Sequence, residues 1–490
     1  MKRLYIGTKI FLLSMCLLVA TSCDKEFMAP FRDDPNNPLD VSNDLQLSGL
    51  LGNFSYSVLG SDPARIPSFW IQYTAFTGAP PSEDNYDVDE SDVDNLWTYS
   101  SYTAVMQNAK LLNESATRQE NYHYAAIAKL IWAWNMSVVT DLWGEVPYSE
   151  AWQPEKTLKP KYDPQESIYT AVQELLDGAI EDFNKTSVRS PAADDLLYPA
   201  ANQNAWRNNS LPKWIKMAYT LKARFHMHLT NAPGYDPVEQ SNLALIALQN
   251  GFASNADNAL FQYYDAEGAE NPWFQWAIDG KWNDDTRLSA SYVARLQGLN
   301  DPRLPIQVQP TTNGTPQYNG APNGVGNLDN NDISNIGNFY SDAEAPLQWL
   351  TYAEAKFIEA EARFRVSGAE AAQEAYQQAI VASMEDLGVD QEAANNYVEA
   401  RPVLTATNAL EEIIEQKYIA LFLQFEAFND FRRTGFPNDL QLAADALTPT
   451  IPVRFPYPQQ ELLNNAENVS QTNVPTGRNG LTLPVWWDRD

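Results

Sequence analysis

The chain has 490 residues and a formal charge of −30, from 33 Lys and Arg against 63 Asp and Glu. A chain this acidic lacks the basic surface that nucleic acid or an anionic bilayer requires, and its 3 His and 2 Cys leave little material for a zinc, haem or iron–sulfur centre. What it has in surplus is aromatic, 24 Tyr and 14 Trp, more polar-tipped rings than a core needs.

Residues 1–22 read as an export signal. Lys2, Arg3 and Lys9 precede an apolar run from Ile10 to Ala20, too short for the ~20 residues of a spanning helix. Cys23 follows Ala20-Thr21-Ser22. It is read as the lipidated first residue of a bacterial lipoprotein, against the alternative of ordinary cleavage and a free thiol. Cys16 leaves with the signal, so the mature chain can form no internal disulfide. Residues 23–42 are rich in Pro, Asn and Asp and read as an extended tether. Residues 43–490 are expected to form a single domain, although the length alone would allow two or three.

Helical signals then dominate. Residues 121–143 carry Tyr124, Ile127, Ile131 and Trp134 at helical spacing and stop at Gly144. Asp163-Pro-Gln-Glu166 predicts a helix start with Asp163 as cap, followed by Ile168, Val172, Leu175, Ala179 and Phe183. Pro212 opens another helix, and residues 237–250 follow it. Residues 252–346 are irregular, rich in Asn, Gly, Pro and aromatics, and so long an insert among helices points to function. Leu350, Ala353, Phe357, Ala360 and Phe364 form a stripe ended by Gly368, and an Ala-rich partner covers 369–387. A long helix is expected over 407–434, and 436–490 is irregular again. Short turns and small residues predict an all-α fold of tetratricopeptide-like hairpins, without a literal 34-residue repeat.

Five segments carry a family resemblance: Val139-Thr-Asp-Leu-Trp-Gly-Glu-Val-Pro-Tyr-Ser-Glu-Ala151, Gly298-Leu-Asn-Asp-Pro-Arg-Leu-Pro305, Tyr352-Ala-Glu-Ala-Lys-Phe-Ile-Glu-Ala-Glu-Ala362, Ile413 to Leu423 with Glu426-Ala-Phe-Asn-Asp-Phe-Arg-Arg-Thr-Gly-Phe-Pro437, and Arg454-Phe-Pro-Tyr-Pro458. Together and in this order they resemble the SusD/RagB family of outer-membrane nutrient-binding lipoproteins of Bacteroidetes. Asp24-Lys25-Glu26 after the cysteine resembles the surface-export signal of such lipoproteins. The resemblance implies an anchor on Cys23, a position on the cell exterior and a SusC-like TonB-dependent transporter as partner. It also implies an oligosaccharide or peptide ligand held on surface aromatics.

No family motif transfers the ligand contacts residue by residue, so the candidates rest on composition. They are Trp273, Trp276 and Trp282 in the insert with Asn271, Asn283 and Asp285 nearby, and Tyr86 and Trp97 around the acidic loop 78–96. Rings stack on sugar C–H faces while amides and carboxylates take hydroxyls. Trp97, Val105 and Leu112 could instead form a buried helix face, and Trp132, Trp134 and Trp143 are assigned to the core.

Asp87-Val-Asp-Glu-Ser-Asp-Val-Asp94 has the alternating carboxylates of a calcium loop, without the Gly and final Glu of an EF-hand; a solvated acidic loop is the preferred reading. His226 and His228 point to different helix faces. Glu354, Glu359 and Glu361 are expected to pair with arginines such as Arg432 and Arg433. The chain shows none of the common phosphate-, dinucleotide- or zinc-protease motifs, so a binding protein without catalytic residues or cofactor is expected. A helical glycoside hydrolase remains the alternative, and it would need two facing carboxylates.

Overall fold

The computed structural model describes residues 41–79, 83–280 and 285–488. The signal, Cys23 and nearly all of the tether lie outside them.

Helices stack as consecutive antiparallel pairs. Asn108–Arg118 packs on Tyr122–Trp143, which packs on Gln165–Phe183, which packs on Leu211–His228. Pro237–Leu248 continues the stack, then Tyr352–Ser367, Ala369–Asp386 and Ala409–Ala420. The fold is all-α, with tetratricopeptide-like hairpins. Small residues at the contacts, among them Ala125, Ala126, Ala128, Ala372, Ala375 and Ala379, are fully or nearly fully buried and let the helix axes approach. One cluster of buried apolar side chains extends from Leu47 to Trp487.

Two helix boundaries and one buried position differ from expectation. Asp163 does not cap Gln165–Phe183. Its carboxylate instead accepts the Tyr148 and Ser149 N–H groups (3.0 and 2.7 Å) and the Ser149 hydroxyl (2.8 Å), tying the 144–149 turn to the next helix. Leu176 rather than Leu175 is fully buried on that helix. Leu350 ends a strand, Leu347–Leu350, and Thr351 caps the helix that follows.

The long helix expected over 407–434 is broken. Ala409–Ala420 and Glu426–Thr434 are separated by a turn in which Leu423 takes φ 64°. The break keeps Phe422, Phe425 and Phe428 all buried while aiming Glu426, Asp430 and Arg433 into a shared ionic cluster.

That cluster takes up Glu354, Glu361, Lys417, Glu426, Asp430 and Arg433 of the sequence motifs. Arg224 grips Glu354 through two bonds of 2.7 Å; Arg433 pairs with Glu361 and Asp430; Lys417 reaches Asp430 at 2.6 Å; His228 meets Glu426 at 2.7 Å. Arg432 departs from the expected pairing. It donates to the Asp141 and Val453 carbonyls and lies over Phe428 and Trp487. Glu359 pairs locally with Lys356 and Arg363.

The insert 252–346 holds short elements rather than none. Strands Ala259–Phe261 and Thr286–Leu288 pair antiparallel with Leu347–Leu350 and Thr74–Phe76. The helices Pro272–Ala277 and Ala290–Leu299 precede and follow the strand Thr286–Leu288 in the chain.

Candidate ligand-binding surface

The surface that concentrates rings is organised by one wide helix. Leu96–Gln107 is a π-helix of 12 residues, a conformation uncommon at this length and frequent at functional sites. Neighbouring side chains take up carbonyls along it. Asn135 donates to Ser101 O at 3.1 Å, and the Thr103 hydroxyl donates back to Thr98 O at 2.7 Å. A second π-helical turn, Ser55–Leu59, packs beside it.

A cleft opens on each flank of this helix. The first, of about 250 Å³, is lined by Tyr56, Ser57, Gly60, Ser61, Asp62, Asn95, Leu96, Ser100, Pro272 and Trp276. The second, of about 440 Å³, is lined by Trp97, Thr98, Tyr102, Thr103, Gln107, Pro147, Ala151, Trp152, Pro160 and Glu461. Between them Tyr99 stands 60% exposed.

The second cleft is built from stacked rings. Trp97 lies 5.0 Å from Tyr102 and is stacked on Tyr162 at 6.2 Å; Trp143 and Tyr457 meet it edge-on. Trp152 approaches Tyr102 and Trp132, each at 5.6 Å. Trp152 takes φ 56°, a left-handed conformation that costs a bulky residue energy. The Tyr102 hydroxyl donates to Pro147 O at 2.7 Å, and the Tyr162 hydroxyl to Glu461 at 2.8 Å. Burial pushes the Tyr102 and Tyr162 hydroxyls well up, with the Glu461 charge adding to it, so both stay protonated donors.

One family-like motif lines this cleft through Pro147 and Ala151, and a second packs behind it. Gly144 at φ 82° ends the helix Tyr122–Trp143 and turns the chain toward Pro147 and Trp152. The closing element docks on that turn: Phe455 N–H donates to Leu142 O, Trp143 Nε1 to Pro456 O, and the Tyr457 hydroxyl to Glu145 O, at 2.8, 2.7 and 2.7 Å. A third cleft, about 590 Å³, lies beyond Tyr162 and is lined largely by amides and a hydroxyl, including Asn468, Gln471, Thr472 and Asn473.

The structure separates the sequence candidates. Trp97 faces the second cleft by one edge although only 4% exposed, and Val105 and Leu112 beside it are fully buried. Trp276 faces the first cleft and covers the Arg65 guanidinium at 4.4 Å. Three candidates need correction, because burial gives them scaffold work. Trp273 is 1% exposed in the core. Asn271 is fully buried; its side-chain oxygen accepts the Trp273 N–H (2.7 Å) to cap Pro272–Ala277, and its amide donates to Ala345 O (2.9 Å). Tyr86, at φ 72°, accepts the Ala443 N–H at 3.0 Å, and burial pushes its hydroxyl up to about 12. Asp285 is half-buried away from both clefts, its carbonyl accepting from Thr77. Trp282 and Asn283 lie outside the described residues.

Sequence reasoning missed Tyr56, Tyr99, Tyr102 and Trp152. Tyr99 and Tyr102 sit in the same segment as Trp97 and could have been found from it. Trp152 becomes a wall only through its left-handed backbone.

The acidic loop does not gather its carboxylates. Asp87 pairs with Arg478; Asp89 accepts from Ser91; Asp92 accepts the Asp89 N–H; Glu90 and Asp94 accept the Gly477 and Gln460 N–H groups. Among the described residues no three His, Cys, Asp or Glu side chains are grouped to hold a metal. His226 bonds Gln240, and His228 sits between Tyr169 and Glu426.

A family model described as "SusD-like: Starch-binding associating with outer membrane" matches residues 42–458. No curated protein sequence matches. Similar solved structures include a chitin-binding protein (24% identity, 92% of this chain and 100% of that one, TM-score 0.76). A SusD/RagB family protein from Bacteroides thetaiotaomicron gives 24% identity, 92% and 99% coverage and a TM-score of 0.74. A chitin-binding SusD homolog from Flavobacterium johnsoniae gives 22%, 91% and 99%, and 0.75. At these identities the structural likeness speaks for the fold.

Proposed function

The chain belongs to the SusD-like family of outer-membrane-associated nutrient-binding proteins, and from that premise we propose that it captures oligosaccharide on the ring-lined surface around Leu96–Gln107. The observation that carries this reading is the grouping of Trp97, Tyr102 and Trp152 with Thr98, Thr103, Gln107 and Glu461 in one open cleft. Rings cover the C–H faces of a sugar while hydroxyl, amide and carboxylate groups take its hydroxyls. Binding is non-covalent. A lipid on Cys23 holds the protein at the outer membrane facing the exterior, and the ligand passes to a SusC-like TonB-dependent transporter. Among the described residues no helix is long and apolar enough to cross a membrane, which suits attachment through a lipid.

The carboxylates of the two clefts do not form the facing pair of a glycoside hydrolase. Asp62 and Glu461 stand one per cleft, and each is engaged, Asp62 by Arg65 at 3.0 Å and Glu461 by Tyr162 at 2.8 Å.

Calorimetry of the mature protein against pools of neutral oligosaccharides and of peptides tests the reading, together with co-purification from outer membranes. Glycan binding weakened at least tenfold by Trp152→Ala, and recovery of a barrel transporter, are the expected results. Binding of peptides alone would move the protein to a peptide-importing role, and binding of neither would overturn the proposal.

A further inference from the structure

The two clefts share one helix, and their contents are alike. Leu96 and Ser100, four residues apart, face the first; Trp97, Thr98 and Tyr102 face the second. Each cleft has its own ring platform, Trp276 with Tyr56 on one side and Tyr102 with Trp152 on the other. Each also has its own carboxylate and short hydroxyl side chains. The crest between them carries an aromatic ring, Tyr99, 60% exposed, where a solvated polar residue would suffice for a plain surface helix. At about 250 and 440 Å³, the clefts fall below and in the lower half of the roughly 300–1,000 Å³ usual for small-molecule sites. Neither holds a long chain alone, and both are open.

We infer that the two clefts and Tyr99 form one bipartite site, in which a single oligosaccharide chain lies across the Leu96–Gln107 helix with its ends in the two clefts. This rests on the carbohydrate-binding reading above and narrows it to a ligand class: chains long enough to span a helix of roughly 10–12 Å with its side chains, rather than mono- or disaccharides. The gain comes from linkage. Once one end is seated, the other binds at high effective concentration, so affinity climbs steeply when the chain first reaches both clefts.

The test is calorimetry on the mature protein with neutral gluco-oligosaccharides and N-acetylglucosamine oligomers of two, four and six units. For the series that binds, affinity is expected to rise at least tenfold between the shortest and longest members. Tyr99→Ala, a surface change that leaves the fold intact, should cost about tenfold on the longest chain and under twofold on the shortest. Trp276→Ala in the first cleft should do the same, with far-ultraviolet circular dichroism confirming the fold. Affinity independent of length, or a longest chain insensitive to Trp276→Ala and Tyr99→Ala yet abolished by Trp152→Ala, would overturn the bipartite site and leave a one-cleft glycan binder. Binding of no oligomer would overturn the carbohydrate reading along with it.

Discussion

At the scale of single residues, the polar groups divide into buried ones that support the scaffold and ones whose side chains line a cleft. Glu361 is the clearest of the first kind. Burial by itself would raise its carboxyl, but Arg433 and Arg365 outweigh that and hold it well below the ordinary carboxylate value of 4.5. A carboxyl lowered in the folded state adds stability that is present above about pH 4.5 and is lost as pH falls below it toward the folded value. Glu361→Gln should therefore destabilise the protein at neutral pH and flatten the acid limb of its stability curve, measured by denaturant unfolding between pH 3 and 7. An unchanged acid limb would mean that the ionic cluster contributes nothing to acid sensitivity. Tyr102 belongs to the second kind, since its ring lines a cleft while its hydroxyl is held by Pro147 O. Tyr102→Phe keeps the ring and should leave glycan affinity within about fivefold, for a net hydrogen bond is worth only ~1 kcal/mol. Tyr102→Ala removes the platform and should cost about tenfold or more in calorimetry.

At the scale of elements, the motifs prove to be joints between helices. The Glu354 motif on Tyr352–Ser367 meets Leu211–His228 through Arg224, whose guanidinium also lies 5.2 Å over Trp134. Breaking a buried pair leaves an uncompensated charge, so Arg224→Ala should cost about 3–5 kcal/mol. The double change Arg224→Met with Glu354→Leu should cost less than Arg224→Ala, since it removes both charges of the pair and keeps volume while Glu426 retains His228. Thermal melts of the three proteins check this, and equal losses in the single and double variants would refute it. The helices of 121–143, 163–183 and 350–368 were legible because their apolar residues recur at helical spacing and each packs on a neighbour close in sequence. The break at Leu423 was not legible. Leu421-Phe-Leu-Gln-Phe425 fits helical spacing, and the pairing of Glu426 and Asp430 with Arg224 and Lys417, which accompanies the turn, joins residues that local spacing does not relate. The same blindness hid Asp163, whose spacing announces a cap but whose partners, Tyr148 and Ser149, come from the preceding turn.

At the scale of the whole molecule, charge sets what can approach. The chain carries −30, and among the described residues the side chains lining the two clefts include Asp62 and Glu461 but no Lys or Arg. Uronate-bearing or sulfated chains should therefore bind at least tenfold more weakly than neutral ones at low salt, and added salt should narrow that gap by screening. Calorimetry at two ionic strengths reads this directly, and tight binding of an acidic glycan would refute it. The sequence by itself determined the helical architecture and the family, because periodic burial and ordered motifs are local signals that survive without a structure. It also pointed to aromatics as the working groups. Which aromatics reach a cleft was decided only by the tertiary structure. Trp273 and Tyr86 sit in loop-like sequence yet vanish into the core, while Tyr56 and Trp152, from segments far apart in the chain, come to line the clefts on the two flanks of Leu96–Gln107. A ring's exposure depends on what packs over it from elsewhere, and residue type and local spacing hold no record of that.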